Sequence, residues 1–165
     1  MAPLDLLVHA IQPAAGHGAW HGGPTPIGAL RGVAADEAWW RPAPRRKSIW
    51  MLTLHIAYWK YAIRRVLDGS GRGGFPRGPS NWPPPPDRAD AVRWAEDVAL
   101  LKQEHARLVE AVAALPPGRL GRRPPSSRRW TYGDLVIGIA LHDAYHTGQV
   151  QLVKRLYRER RSLGR

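Results

Sequence analysis

WTYGDLVIGIALHDAYHTGQVQL, residues 130–152, contains the start of a helix and most of its body. Thr131-Tyr132-Gly133-Asp134 has the form of a capping box with Asp in place of the commoner Glu. Leu135, Ile139, His142, His146, Val150, Val153 and Leu156 then recur every three or four residues, which predicts a helix over 131–160 with one apolar face. Two of the positions on that face are histidines four apart, so their side chains stand about one turn from each other.

Working outward, SIWMLTLHIAYWKYAIRR at 48–65 carries the same signal. Ser48 is an N-cap candidate, Gly69 a stop, and Met51, Leu52, His55, Trp59, Ala62, Ile63 and Val66 share a stripe, predicting a helix over 48–67. A third helix is predicted over 87–115, with Trp94, Val98, Leu101, His105, Leu108 and Val112 inward and Pro116-Pro117-Gly118 ending it. The N-terminal element, 4–31, reads as a broken helix. Leu4 to Gln12 is helical in pattern, Pro13, Gly16, Gly18, Gly22 and Gly23 interrupt it, and it resumes near Pro24 before a short turn at Asp36 to Trp40.

Between the second and third helices, Gly69 to Pro86 is dense in Gly and Pro and has no periodicity. Pro83 to Pro86 has the composition of a polyproline ligand, but a spacer is the simpler reading. A helix of about 20 residues is roughly 30 Å long, and an extended Pro-rich chain can run back over that length at about 3 Å per residue. The two helices can therefore lie parallel, joined by a crossover. No strand-like alternation is found, so the expected fold is all-α: one domain over 1–165, built as a four-helix bundle.

The chain has 165 residues, 25 Lys plus Arg against 13 Asp plus Glu, and no Cys. Without Cys there is no disulfide framework, no thiolate nucleophile and no thiolate metal site, so any metal must be held by His and carboxylate. The net charge of +12 points to phosphate or an anionic surface, yet a predominance of Arg over Lys in a chain rich in Ala, Gly and Pro also follows from coding bias. No apolar run approaches the roughly 20 residues of a membrane helix. The first ten residues include Asp5 and no basic segment, so the expected compartment is the cytoplasm.

His142 and His146 on one apolar face have either a metal to share or hydrogen-bond partners to find. His55, mid-stripe on the other strong helix, faces the same alternatives. Three inward histidines from two helices make a facial set of nitrogen ligands with positions left open. His17 and His21 have the same nominal spacing, but the surrounding glycines remove the helical geometry; His21 is at most a visitor to the site mouth. His105, beside Glu104, reads as packing, and His9 carries no signal. Tyr58, Trp59, Tyr145 and Gln149 are candidates to line a pocket above such a site, although core packing explains most aromatics here. Asp143 points about 100° away from His142, toward the surface or a neighbouring helix.

AWHGGPTPIGAL at 19–30, AWWRPAP at 38–44 and the two histidine-bearing stretches together resemble the DinB/YfiT-like family of bacterial four-helix metalloproteins. The resemblance implies an up-down-down-up bundle, a homodimer, and His55, His142 and His146 as ligands of a divalent ion, with zinc, nickel and iron all acceptable to imidazole. It also implies a metal-dependent enzyme acting on a small molecule, either a transferase that uses an external low-molecular-weight thiol or a hydrolase. Two alternatives remain: a stress-linked binding module using Arg119, Arg122, Arg123, Arg128, Arg129 and the basic C-terminus on nucleic acid or an acidic protein, and a domain that binds metal for stability alone.

Overall fold

The computed structural model describes residues 2–13, 22–70 and 73–163. Six α-helices follow in order: α1 (Pro3–Ile11), α2 (Pro26–Ala29), α3 (Ala35–Trp39), α4 (Ile49–Asp68), α5 (Ala91–Ala113) and α6 (Tyr132–Leu163), with a 3₁₀ turn at Pro117–Arg119. The described residues include no strand, in keeping with an all-α class.

The helix ends follow from local chemistry. At the start of α4 the Ser48 hydroxyl accepts the Met51 N–H, and α4 ends where Gly69 turns left-handed at φ 68°. At the start of α6 the box closes both ways. Thr131 Oγ1 accepts the Asp134 N–H at 3.1 Å, and Asp134 accepts the Thr131 N–H at 2.9 Å. The third helix begins at Ala91 and not at 87, because the Asp90 carboxylate accepts the Val92 and Arg93 N–H groups and so fixes the cap at 90. In the N-terminal region α1, α2 and α3 are separate helices; the part of the expected broken helix over 14–21 lies outside the described residues.

The central element is α4, which packs against both α5 and α6. Along α5 the contacts advance together, Trp50 donating to Asp97 at 2.7 Å and Arg64 to Glu104 at 3.2 Å, so α4 and α5 run in the same direction. Along α6 they run oppositely, since His55 lies by His142 and His146 while Lys60 meets Asp143. Two apolar clusters fill the ends. One gathers Trp50, Leu52, Trp94, Leu101, Val150 and Val153 with Ala29, Leu30 and Val33 from the α2 region. The other gathers Ile11, Leu67, Leu108, Val112, Tyr132, Val136 and Ile139. Each large aliphatic removed from water here contributes about 1.5–3 kcal/mol.

The Gly/Pro connection lies back along α4. Gly73 C=O accepts from Tyr61 Oη, Phe75 is buried against Tyr58 and Tyr61, and Asn81 C=O meets His55. Arg77 reaches across to Asp97 and Glu96 on α5, and the Trp39 indole donates to Pro86 C=O. The segment is thus a spacer fixed to its neighbours at several points.

Midway along the α4–α6 contact, Lys60 and Asp143 form a buried ion pair, the ammonium wholly enclosed. Burial pushes the Asp143 carboxyl above its ordinary range, and the adjacent Lys60 charge opposes that. Removing one partner strands the other charge in the core. Asp143→Ala is expected to cost about 3–5 kcal/mol in urea unfolding, and Lys60→Met with Asp143→Leu to cost less than the single change. Equal losses in the single and double variants would show that the pair is not the cause.

Candidate metal centre

The antiparallel register of α4 and α6 brings His55, His142 and His146 together, each offering a ring nitrogen, with all three atoms within 4.8 Å of one another. Their ring centroids are 5.0 Å (His55 to His142), 4.7 Å (His55 to His146) and 4.4 Å (His142 to His146) apart. His55 and His146 are buried, and His142 is half-buried.

Two of the three outer nitrogens are already engaged. His55 Nδ1 lies 2.5 Å from Asn81 C=O, and His146 Nδ1 lies 2.7 Å from Gln149 Oε1. Both partners are oxygen acceptors, so both Nδ1 atoms carry the proton, and each Nε2 keeps its lone pair. His55 Nε2 and His142 Nε2 are 3.2 Å apart. His142 Nδ1 is buried with no hydrogen-bond partner among the described residues, so either His142 Nε2 donates to the His55 lone pair or a cation stands between the two nitrogens. The donor set, its neutral imidazoles and the oxygen partners behind two of them fit a divalent ion of the kind that accepts nitrogen.

Two of the rings are also electrostatically prepared. Burial, then the nearby His146, His55 and Lys60, push His142 down to about 3, and burial lowers His55 despite its bond to Asn81. Protons therefore compete weakly for the His142 and His55 nitrogens at neutral pH. Trp82, from the Gly/Pro connection, stacks on His55 at 3.7 Å with ring planes 7° apart and covers that side.

Among the expected pocket residues, Trp59 stands edge-on to His55 and His142, with ring centroids 6.4 and 6.1 Å away. Together with Ile63, Gly138, Ile139 and His142 it lines a small opening of about 200 Å³. Gln149 supports His146 from behind. Tyr58 lies elsewhere: it packs on Phe75 and lines a cavity of about 640 Å³ with Tyr61, Arg65, Arg119 and Tyr132. Tyr145 is 65% exposed beside His146. Asp143 takes the bond to a neighbouring helix and not a surface place. His9 lines a separate cavity near Asp143 and Thr147, and His17 and His21 lie outside the described residues. Sequence reading missed Asn81 and Trp82, because their stretch lacks periodicity; the one available signal was a lone Trp set against prolines.

A helical protein with a buried three-histidine cluster shared between two antiparallel helices is thus defined by fold and site together. A family model described as the DinB superfamily matches residues 27–150, and the chain belongs to that superfamily. No curated protein and no solved structure matched.

His105 on α5 stays apart from the cluster. Its Nδ1 is buried without a hydrogen-bond partner among the described residues, and burial, with Lys60 adding repulsion, pushes it down to about 4. The unfolded chain protonates this group near 6.5, so between 6.5 and about 4 unfolding takes up a proton that the folded state refuses. Stability conferred by the neutral ring is complete above that window and falls as pH drops through it. In chelator-treated protein, urea midpoints are expected to fall more steeply from pH 7 to 5 for wild type than for His105→Gln. Parallel slopes would assign the acid sensitivity elsewhere.

Proposed function

We propose that the protein is a metal-dependent enzyme acting on a small molecule, a thiol S-transferase or a hydrolase, with His55, His142 and His146 holding a divalent ion of zinc, nickel or iron. The observation that supports it best is the pairing of His55 Nδ1 with Asn81 and His146 Nδ1 with Gln149, which turns both Nε2 lone pairs inward. A bound ion there would supply Lewis-acid chemistry, lowering the pKa of a bound water or thiol. The chain's own groups do the rest. Three imidazoles from two helices leave positions open, Gln149 and the Asn81 carbonyl hold two rings in one tautomer, and Trp82 excludes water over His55. Trp59, in the wall of the small opening beside His142, is placed to orient a substrate. Because the chain has no Cys, any thiol comes from outside as a cofactor.

The accompanying architecture we propose is an up-down-down-up four-helix bundle of α1, α4, α5 and α6, supported by the shared direction of α4 and α5. A homodimer is proposed on α6, where Ile137, Leu141 and Tyr145 stand 51, 66 and 65% exposed at successive turns. Leu141→Arg is expected to convert wild-type dimer to monomer in sedimentation velocity; identical sedimentation of the two proteins would remove the proposal. The part of the nucleic-acid reading that uses the basic C-terminus finds less support, since Arg158 pairs with Glu37 at 3.0 Å, Arg161 with Asp36 at 3.9 Å, and Lys154 donates to Ala29 and Arg31 carbonyls.

The test is elemental analysis after separate loading with zinc, nickel and iron. Wild type is expected to retain about one ion per chain, as a single three-ligand site requires, and His142→Ala close to none. Near-zero metal in both proteins would sink the proposal. On loaded protein, ester turnover without thiol selects the hydrolase, and turnover only with an added thiol selects the transferase. Metal retention and a chelation-sensitive melting temperature with no turnover across thiol, ester and electrophile panels would select the stability role.

A further inference from the structure

A further cavity, of about 490 Å³, lies between the segment before α4 and the C-terminal half of α6, and its walls differ in chemistry. One wall is Arg45, Arg46 and Lys47, three consecutive cations that are all exposed and make no ion pair among the described residues. The other is Leu152, Val153 and Leu156 of α6 with Leu52 of α4, and of these Leu152 and Leu156 remain 55% and 37% exposed. Uncompensated cations facing exposed aliphatic surface across one cavity match a ligand with the same two halves.

The cavity also adjoins the three histidines at two points. Gln149 lines it and holds His146. Lys47 lines it as well and sits 4.3 Å from the Trp82 ring centroid, and Trp82 stacks on His55. A molecule seated here therefore rests against Gln149, which holds His146, and against Lys47, which contacts the Trp82 ring that stacks on His55.

We propose that this cavity binds the anionic end of an amphipathic small molecule, a carboxylate or phosphate on an apolar body, with Arg45, Arg46 and Lys47 holding the anion and Leu152 and Leu156 the body. Arg supplies a bidentate fork for either oxyanion, and Lys a point charge. The assignment rests on the metal reading only for what the far end of the ligand meets; capture of the anion does not depend on it.

The experiment is calorimetric titration of octanoate, octyl phosphate and neutral octanol into zinc-loaded wild type and into Arg45→Ala/Arg46→Ala, with zinc content measured on the same samples. Both altered side chains are exposed and touch no histidine of the cluster, so the variant is expected to fold and to keep wild-type zinc. Wild type is expected to bind at least one of the two anions about tenfold more tightly than octanol, roughly the effect of one charge-assisted contact, and the variant to lose that margin. Preference for octanoate or for octyl phosphate distinguishes the carboxylate from the phosphate source.

Equal affinity for octanol and the anions, unchanged anion affinity in the variant, or no saturable anion binding by wild type would each overturn the proposal. So would anion affinity that falls as protein concentration rises, which would put a second copy of the chain in the cavity. Binding of duplex DNA through Arg45 and Arg46 without octanoate or octyl phosphate binding would overturn it in favour of nucleic acid. Failure of the metal reading appears separately, as zinc absent from wild type whatever the anion result.

Discussion

The register between α4 and α6 is the constraint on which the rest of the site depends. Neighbouring residues on a helix point about 100° apart, so His142 and Asp143 meet a packed partner at different places. The structure uses both. His142 meets His55, and one residue on, Asp143 meets Lys60 on the same partner helix. A slide of α6 by one residue would break the ion pair and scatter the rings together. A buried ion pair is weak evidence of net stability, but it is strict about geometry, because its desolvation cost is offset in one alignment only. The polar pair therefore helps to specify how the three imidazoles converge.

The Gly/Pro connection supplies what the two helices cannot. A helix interior has no spare carbonyl to offer an inward imidazole, because its backbone acceptors are used within the helix. Asn81, in irregular chain, has a free carbonyl and gives it to His55 Nδ1, while Trp82 beside it covers the ring face. The same traverse carries the chain back along α4, so that α5 starts near Trp50 and runs in the direction of α4. One segment thus sets the direction of a helix and completes the surroundings of a histidine.

Much of this was legible in the sequence, and the exceptions have physical reasons. Ser48, Gly69 and the Thr131–Asp134 box marked helix ends because caps are local chemistry. The three histidines were legible because each occupies an apolar stripe where an unpartnered imidazole would be costly. Asn81 and Trp82 were not, since an aperiodic stretch gives no sign of what it packs against. Tyr58 shares a helix and a neighbourhood with Trp59, yet the two residues point about 100° apart and face different cavities. Sequence distance suggested a shared pocket where helix rotation imposes separate ones.

The apolar face of α6 shows where periodicity falls short as a guide. The stripe from Leu135 to Leu156 reads as one buried surface, and Ile139, His146, Val150 and Val153 are buried as it predicts, but Leu156 is 37% exposed. Ile137, Leu141, Tyr145 and Leu152, outside the stripe, add a second apolar face that is more than half exposed. A helix apolar on two sides carries only a weak one-sided signal, because the two faces partly cancel. Its inner face is satisfied within the chain by α4. The outer face is not, and its C-terminal end meets the three unpaired cations before α4. At that end exposed leucines and uncompensated positive charge border one cavity.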